Sequence, residues 1–234
     1  MTEHTSFSAE MQDLAALNLL GKAGKTFLDI GAGHPITSNN TFLLEENGWE
    51  GICVDTSDKF ANEFSHRSST FHQVDATTDE FIKILSERFP KKCIDYISLD
   101  VDAATFPTLE NLLRNNFKFT FMTFEHDYHW LLNHRLYRLY NHKEWKCVGR
   151  SPAELERCKY KSKDMLQKSG YNLLFENVCF YEKNTGKTLH PWEDWWINPH
   201  AYPYEGKLSL QRVESKNIHF RDCIDRIMTL PIAK

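Results

Sequence analysis

Residues Thr26 to Pro35 read TFLDIGAGHP, an apolar run that carries Asp29 and then turns at Gly31-Ala32-Gly33. A turn without Cβ atoms lets the backbone approach a ligand closely at the start of the following helix. Such a loop says little alone. Its weight comes from three further apolar runs at strand-and-helix spacing: Gly51 to Asp55, Phe71 to Asp75 and Ile94 to Asp100. Each run ends in an aspartate, and helices of matching length separate them. This alternation predicts an α/β fold with a doubly wound, mainly parallel sheet and right-handed crossovers.

The helices are expected around 39–47, 58–65, 77–88 and 106–115, and Phe119 to Phe124 is a fifth strand that ends at Glu125-His126-Asp127. Ahead of the first strand, residues 1–24 form a helical extension: Ser8 can cap a helix through Met11, Leu14, Leu17 and Leu19 that stops at Gly21. Residues 128–150 carry His129, His134 and His142 with Tyr128, Trp130, Tyr137 and Tyr140, and read as an inserted lid or acceptor segment over the ligand edge. Pro152 opens a helix to about 169, closed by Gly170. Tyr171–Val178 and Cys179–Glu182 then read as a hairpin-like pair of strands that completes a core domain over 25–184. The remainder, 185–234, reads as an aromatic tail, His190-Pro191-Trp192-Glu193-Asp194-Trp195-Trp196, and a polar helix from about 208 to 228.

With 234 residues and 41% hydrophobic content, the chain can bury one α/β core with some residues to spare. A net charge of −4 without a basic block gives no reason to expect nucleic acid or an anionic membrane as partner. Cys53, Cys93, Cys147, Cys158, Cys179 and Cys223 form no C-x-x-C pair, which suits reduced thiols in the cytoplasm. The polar start MTEHTSFSAE is unlike a signal peptide, and no 18-residue apolar stretch occurs.

In an open parallel sheet, ligands bind beyond the carboxyl ends of the strands, where strand order reverses. Asp55, 24 residues after Gly31 and followed by Thr56, is placed to accept hydrogen bonds from ribose hydroxyls; its plainer reading is a strand-end turn. Asp75, with Ala76, can accept from the exocyclic amine of an adenine or cap the next helix. A dinucleotide loop wants G-x-G-x-x-G, and here the third position is Ile36. S-adenosylmethionine tolerates that loop, with its amino-acid part over Gly31, Ala32 and Gly33 and with Asp29 as electrostatic partner or loop organiser. Ser38, Asn39 and Asn40 can bond the cofactor carboxylate or cap the helix.

FLDIGAGHPITSNNTFLLEENGWEGICVDTS, IDYISLDVDAATFPTLENL and FTFMTFEHD resemble, in order and spacing, the FkbM-type S-adenosylmethionine-dependent methyltransferases over roughly residues 25–182. Where the family usually has Asp-Val-Glu-Gly, this chain has Asp100-Val101-Asp102-Ala103. The resemblance implies a Rossmann-like seven-stranded methyltransferase sheet with helices on both faces, S-adenosylmethionine as cofactor, and O-methylation of a sugar or small-molecule hydroxyl. Removing the hydroxyl proton needs a general base or a metal. Asp100 and Glu125, similar in placement to the carboxylates of metal-dependent O-methyltransferases, with His126 as ligand or base, would suit Mg²⁺ or Mn²⁺; the alternative is that Asp100 and Glu125 bond backbone amides at loop starts and His126 is a polar rim residue. Trp192, Trp195 and Trp196 read as packing, a contact in a homo-oligomer, or acceptor binding. Two other readings stay open here: an NAD(P)-dependent oxidoreductase, and a non-catalytic methyltransferase-like fold that binds a partner.

Overall fold

The computed structural model describes residues 5–21, 24–130, 151–181, 189–201 and 216–229. An N-terminal helix α1 (Gln12–Leu20) leads into β1 (Thr26–Ile30), α2 (Phe42–Glu46), β2 (Glu50–Asp55), a 3-10 segment (Ala61–His66) and β3 (Thr70–Gln73). Then come α3 (Asp79–Arg88), β4 (Cys93–Leu99), a 3-10 turn (Asp102–Ala104), α4 (Thr105–Arg114) and β5 (Lys118–Glu125). From residue 152 on lie α5 (Pro152–Glu156), a π-helical turn (Arg157–Lys161), α6 (Ser162–Lys168), β6 (Asn172–Tyr181), β7 (Leu189–Ile197), β8 (Lys216–His219) and α7 (Phe220–Thr229).

The strands form one sheet in the order β3-β2-β1-β4-β5-β7-β6-β8. β1 to β5 are parallel, and β7 runs antiparallel between β5 and β6. This is the expected doubly wound α/β architecture, with eight strands among the described residues instead of seven because β8 adds to β6 in parallel. The interior strands of the parallel part are apolar on both faces, as a sheet covered by helices requires. One core joins Phe27, Tyr96, Phe121, Trp195 and Ile197 to Leu19 of α1 and Ile224 and Ile227 of α7. The other joins Leu28, Ile97, Met122 and Trp196 to Phe81 and Leu85 of α3, Leu109 and Leu112 of α4 and Leu166 of α6.

Three sequence expectations change. The stretch read as an aromatic tail is β7, inside the sheet; Trp195 and Trp196 alternate between the two cores, each 0% exposed, so both pack this fold. The hairpin expected over 171–182 is one strand, β6, whose register shifts around Asn177 at φ +55. The terminal helix starts at Phe220, after β8; its expected residues 208–215 lie outside the described residues, as do 131–150 of the insert with His134, Tyr137, Tyr140 and His142. Ser8 does serve α1, but from a distance: its Oγ accepts from the Asp13 amide at 3.3 Å, while Met11 at φ +60 makes the entry. Among the described residues no helix is long and apolar enough to cross a membrane.

Candidate active site

Strand order reverses between β1 and β4, and the crevice opens beyond Ile30 and Leu99, which face each other in register. The chain leaves β1 through Gly31 at φ +85, whose amide donates to the Val54 carbonyl at 2.8 Å, as does the Ala32 amide at 3.1 Å. The Asp100 amide in turn donates to the Ile30 carbonyl at 3.0 Å. A Cβ on Gly31 would lie 1.6 Å from the Asp100 carbonyl oxygen. The absent side chain is therefore what lets the first turn and the end of β4 meet.

Two cavities flank this contact. The larger, about 330 Å³, lies over Gly31 and is walled by Asp55 and Thr56 after β2, Asp75 and Ala76 after β3, and Asp100 to Ala104 after β4. The smaller, about 140 Å³, lies on the β5 side and is walled by Glu10 ahead of α1 and Gln12 at its start, Ser38 and Asn40, Ser98 and Asp100, Thr123, and Trp192 and Glu193 of β7. Asp100 borders both.

The expected residues sort unequally. Asp55 lines the larger cavity while its Oδ2 accepts from the Gly33 amide at 3.0 Å and its Oδ1 from the Ser57 amide at 2.9 Å. A carboxylate has further lone pairs, so ribose hydroxyls can still be accepted there. Asp75 bonds the Thr77 amide and hydroxyl, and the α3 cap is Thr78. Asn40 lines the smaller cavity and donates to Ser98 Oγ at 2.8 Å, whereas Asn39 accepts from the Thr41 and Phe42 amides at the start of α2. Asp29 lines neither cavity. It is buried beneath the turn, where Oδ2 accepts from Thr41 Oγ1 at 2.8 Å and Asn39 Nδ2 at 3.3 Å. Burial raises its pKa to about 6, against the Thr41 bond and the Arg67 charge.

The metal expectation at Asp100, Glu125 and His126 fails on geometry. Among the described residues no group of His, Cys, Asp or Glu is arranged to hold a metal ion. Glu125 stands opposite Glu193 in the β5–β7 register, while the His126 ring reaches Asp194, the next residue of β7, whose side chain points to the other face. His126 Nδ1 accepts from the Tyr128 amide at 3.1 Å, and Nε2 lies 3.3 Å from Asp194 Oδ1 and 3.2 Å from Lys159 Nζ. Both ring nitrogens are engaged, a buried ammonium sits where a cation would have to come, and neither Glu125 nor His126 lines the two cavities.

Asp100 is the chemically distinctive group. Desolvation in the crevice, and after it the carboxylates of Asp127, Asp102, Glu10 and Asp29, raise its pKa to about 8. Solvent reaches the side chain at the cleft mouth, which weakens the first cause; the crowding of like charges holds regardless. Glu193, buried in the smaller cavity's wall, is also held well above the ordinary carboxylate range by desolvation and then by Glu10, in spite of bonds from Trp195 and Gln12. Glu10, Gln12, Ser98, Thr123 and Glu193 carry no sign of this cavity in the sequence, because they reach it from the stretch that starts α1 and from strand interiors, whereas Trp192 stands among the tryptophans read for packing, an oligomer contact or acceptor binding.

No family model matches the chain, and no curated protein matches it. Among solved structures, the O-methyltransferase from Bacillus cereus in complex with SAH is similar over 84% of this chain and 84% of its own, at 10% identity and a TM-score of 0.53. The likeness shows a shared Rossmann-like α/β fold. The plantazolicin methyltransferase BamL, in complex with a triazolic desmethylPZN analog and SAH, aligns over 81% of this chain and 85% of its own at 12% identity and a TM-score of 0.49. AibC aligns over 42% of this chain at 23% identity and a TM-score of 0.32, and this chain spans only 31% of its length. The FkbM-type resemblance thus rests on the motifs themselves.

Proposed function

We propose that this chain is an S-adenosylmethionine-dependent methyltransferase that acts on a hydroxyl of a small molecule or sugar. The observation that carries the reading is the position of Asp100 between two cavities of unequal kind. The larger suits a nucleoside, with Asp55 at the ribose and Asp75 with Ala76 at the base. The Gly31 turn, open where a Cβ would collide with β4, supports close passage of the cofactor's amino-acid arm, and Ile36 in place of a third glycine disfavours a dinucleotide. S-adenosylmethionine, when bound, supplies a methyl group on a cationic sulfur.

The chain's own part is to orient the acceptor and take its proton. Ser98, Thr123 and Asn40 present hydrogen-bonding groups around the smaller cavity, which at about 140 Å³ admits only a small end of an acceptor. Asp100, with its carboxyl raised toward neutrality, is the group suited to accept the hydroxyl proton, because a base works best with a pKa near the working pH. The crowded carboxylates around it also favour a cationic sulfur.

Two outcomes test this. S-adenosylhomocysteine at one hundred times its Kd is expected to raise the melting temperature by about 5–10 °C, since it stabilises by about 2.7 kcal/mol. A shift with NAD(P) and none with S-adenosylhomocysteine would reverse the cofactor assignment. In turnover, kcat/KM is expected to rise with pH through about 8 as Asp100 ionises. A bound cation lowers that pKa, so the limb in kcat should lie at lower pH than the limb in kcat/KM. Asp100→Asn should remove the limb and most of kcat; a variant that retains both excludes Asp100 as the base.

A further inference from the structure

The turn that walls both cavities runs eleven residues from Gly31 to Thr41 before α2 begins, and regular secondary structure holds little of it. We propose that Arg67, which lies beyond the 3-10 segment and outside any cofactor motif, is the positioning residue that sets this turn for the cofactor; the inference rests on the reading above. Its guanidinium is buried beneath the turn and uses four of its five N–H groups: Nη1 donates to the Pro35 carbonyl at 2.6 Å and Asn39 Oδ1 at 3.1 Å, Nη2 to Thr41 Oγ1 at 3.3 Å, and Nε to Glu45 Oε2 at 3.0 Å.

Each of these partners hands the constraint on. Thr41 and Asn39 both donate to Asp29 of β1, and Asn39 Nδ2 also donates to the Ala32 carbonyl at 3.1 Å. Glu45 of α2 accepts from the Ser68 and Ser69 amides beside Arg67, which fixes the arginine's own segment. The guanidinium carbon also lies 5.4 Å from the Phe42 ring centre and 5.9 Å from that of Phe64. One planar fork thereby joins the turn, β1 and the first helix.

The residues so held bear on one cavity more than the other. Asn39 is flanked by Ser38 and Asn40, both in the wall of the smaller cavity, and Ser38 sits at φ +54. The base and ribose end of the larger cavity is set instead by β2, β3 and β4. Arg67 also acts through Asn39 on the Ala32 carbonyl, in the Gly31–Gly33 turn that the cofactor's amino-acid arm would pass, so loosening it should cost that arm, and with it the acceptor side at the smaller cavity, more than the nucleoside.

The test is titration of S-adenosylhomocysteine and of adenosine into wild type, Arg67→Met and Arg67→Lys, with amide hydrogen exchange of residues 32–41 in each ligand-free protein. Arg67→Met is expected to weaken S-adenosylhomocysteine at least about 10-fold while adenosine changes less than about 2-fold, and to speed exchange across the turn. Lysine keeps the charge but not the fork, so Arg67→Lys should lose less; should Arg67→Met not fold, it carries the same comparison. Unchanged exchange with unchanged relative affinity overturns the proposal, as does an equal loss for both ligands without faster exchange. If wild type binds neither ligand, the cofactor reading fails, and exchange alone decides whether Arg67 sets the turn.

Discussion

Gly31→Ala is expected to abolish cofactor binding and to destabilise the protein by about 2–5 kcal/mol, a large share of the total for a domain of this size. The alanine Cβ would lie 1.6 Å from the Asp100 carbonyl oxygen, 2.7 Å from its carbonyl carbon and 3.0 Å from Val101 Cγ1, at a φ of +85 that disfavours any side chain. Two of these atoms are backbone, so relief requires β1 and β4 to part at their carboxyl ends. That parting breaks the bond from the Asp100 amide to Ile30 and moves the residue shared by both cavities. Two controls separate position from bulk. At Gly33, φ +56, the nearest atom to a new Cβ is 4.0 Å away, so Gly33→Ala should cost only the backbone penalty, about 1–2 kcal/mol. A Cβ on Gly51 would meet Phe27 at 2.4 Å, at the opposite end of β2 from the cleft, so Gly51→Ala should destabilise while the folded fraction still binds. Urea unfolding and calorimetric titration of S-adenosylhomocysteine read the two effects; wild-type affinity in Gly31→Ala would refute the close-approach account of the turn.

The first five strands and their rim acids were legible because a buried parallel strand is locally apolar and its end is locally polar. Asp29, Asp55, Asp75 and Asp100 needed no distant partner to be noticed. β7 was hidden for the opposite reason. Its run His190-Pro191-Trp192-Glu193-Asp194 looks like a solvated segment, yet Glu193 and Asp194 are buried, since Trp195 satisfies one and Lys159, His126 and Asn177 satisfy the other. Three of those four partners lie in other elements, where no local pattern reveals them. The same limit undid the metal expectation: neighbouring residues Glu125 and His126 looked like one cluster, but strand alternation sends them toward different faces. Arg67 is the clearest case, since a lone arginine after Ser65-His66 carries no sign of the turn it supports.

Lys159→Met is expected to cost about 3–5 kcal/mol, because it leaves a buried carboxylate without its counter-ion. Lys159 Nζ lies 2.6 and 2.8 Å from the two Asp194 oxygens, and the two side chains are 2% and 1% exposed. The pair ties the π-helical turn to β7, and through His126 to the end of β5. The double variant Lys159→Met/Asp194→Leu should recover much of the loss, since two apolar groups need no partner; equal costs that simply add would show the pair is not coupled. The ring beside it supplies a pH signature. Burial, then the Lys159 charge, lowers the His126 pKa to about 4, against an attraction to Asp194. The unfolded histidine takes up its proton near pH 6.5, so between pH 6.5 and 4 the unfolded state binds more protons and stability falls as pH falls. Desolvation pushes Asp194 up, but the Lys159 charge, His126 and the Asn177 amide together outweigh it and hold the carboxyl below the ordinary range, which adds a loss in the same direction below about pH 4. Asp29, raised to about 6, runs the other way between about pH 4 and 6, which makes the wild-type curve alone ambiguous. The comparison that isolates the ring is His126→Gln against wild type: from pH 7 to pH 5 wild type should lose about 2 kcal/mol relative to the variant. Parallel stability curves over that range would mean that the folded protein lets the ring take up its proton as readily as the unfolded chain does, and with it that a second cation is tolerated beside Lys159.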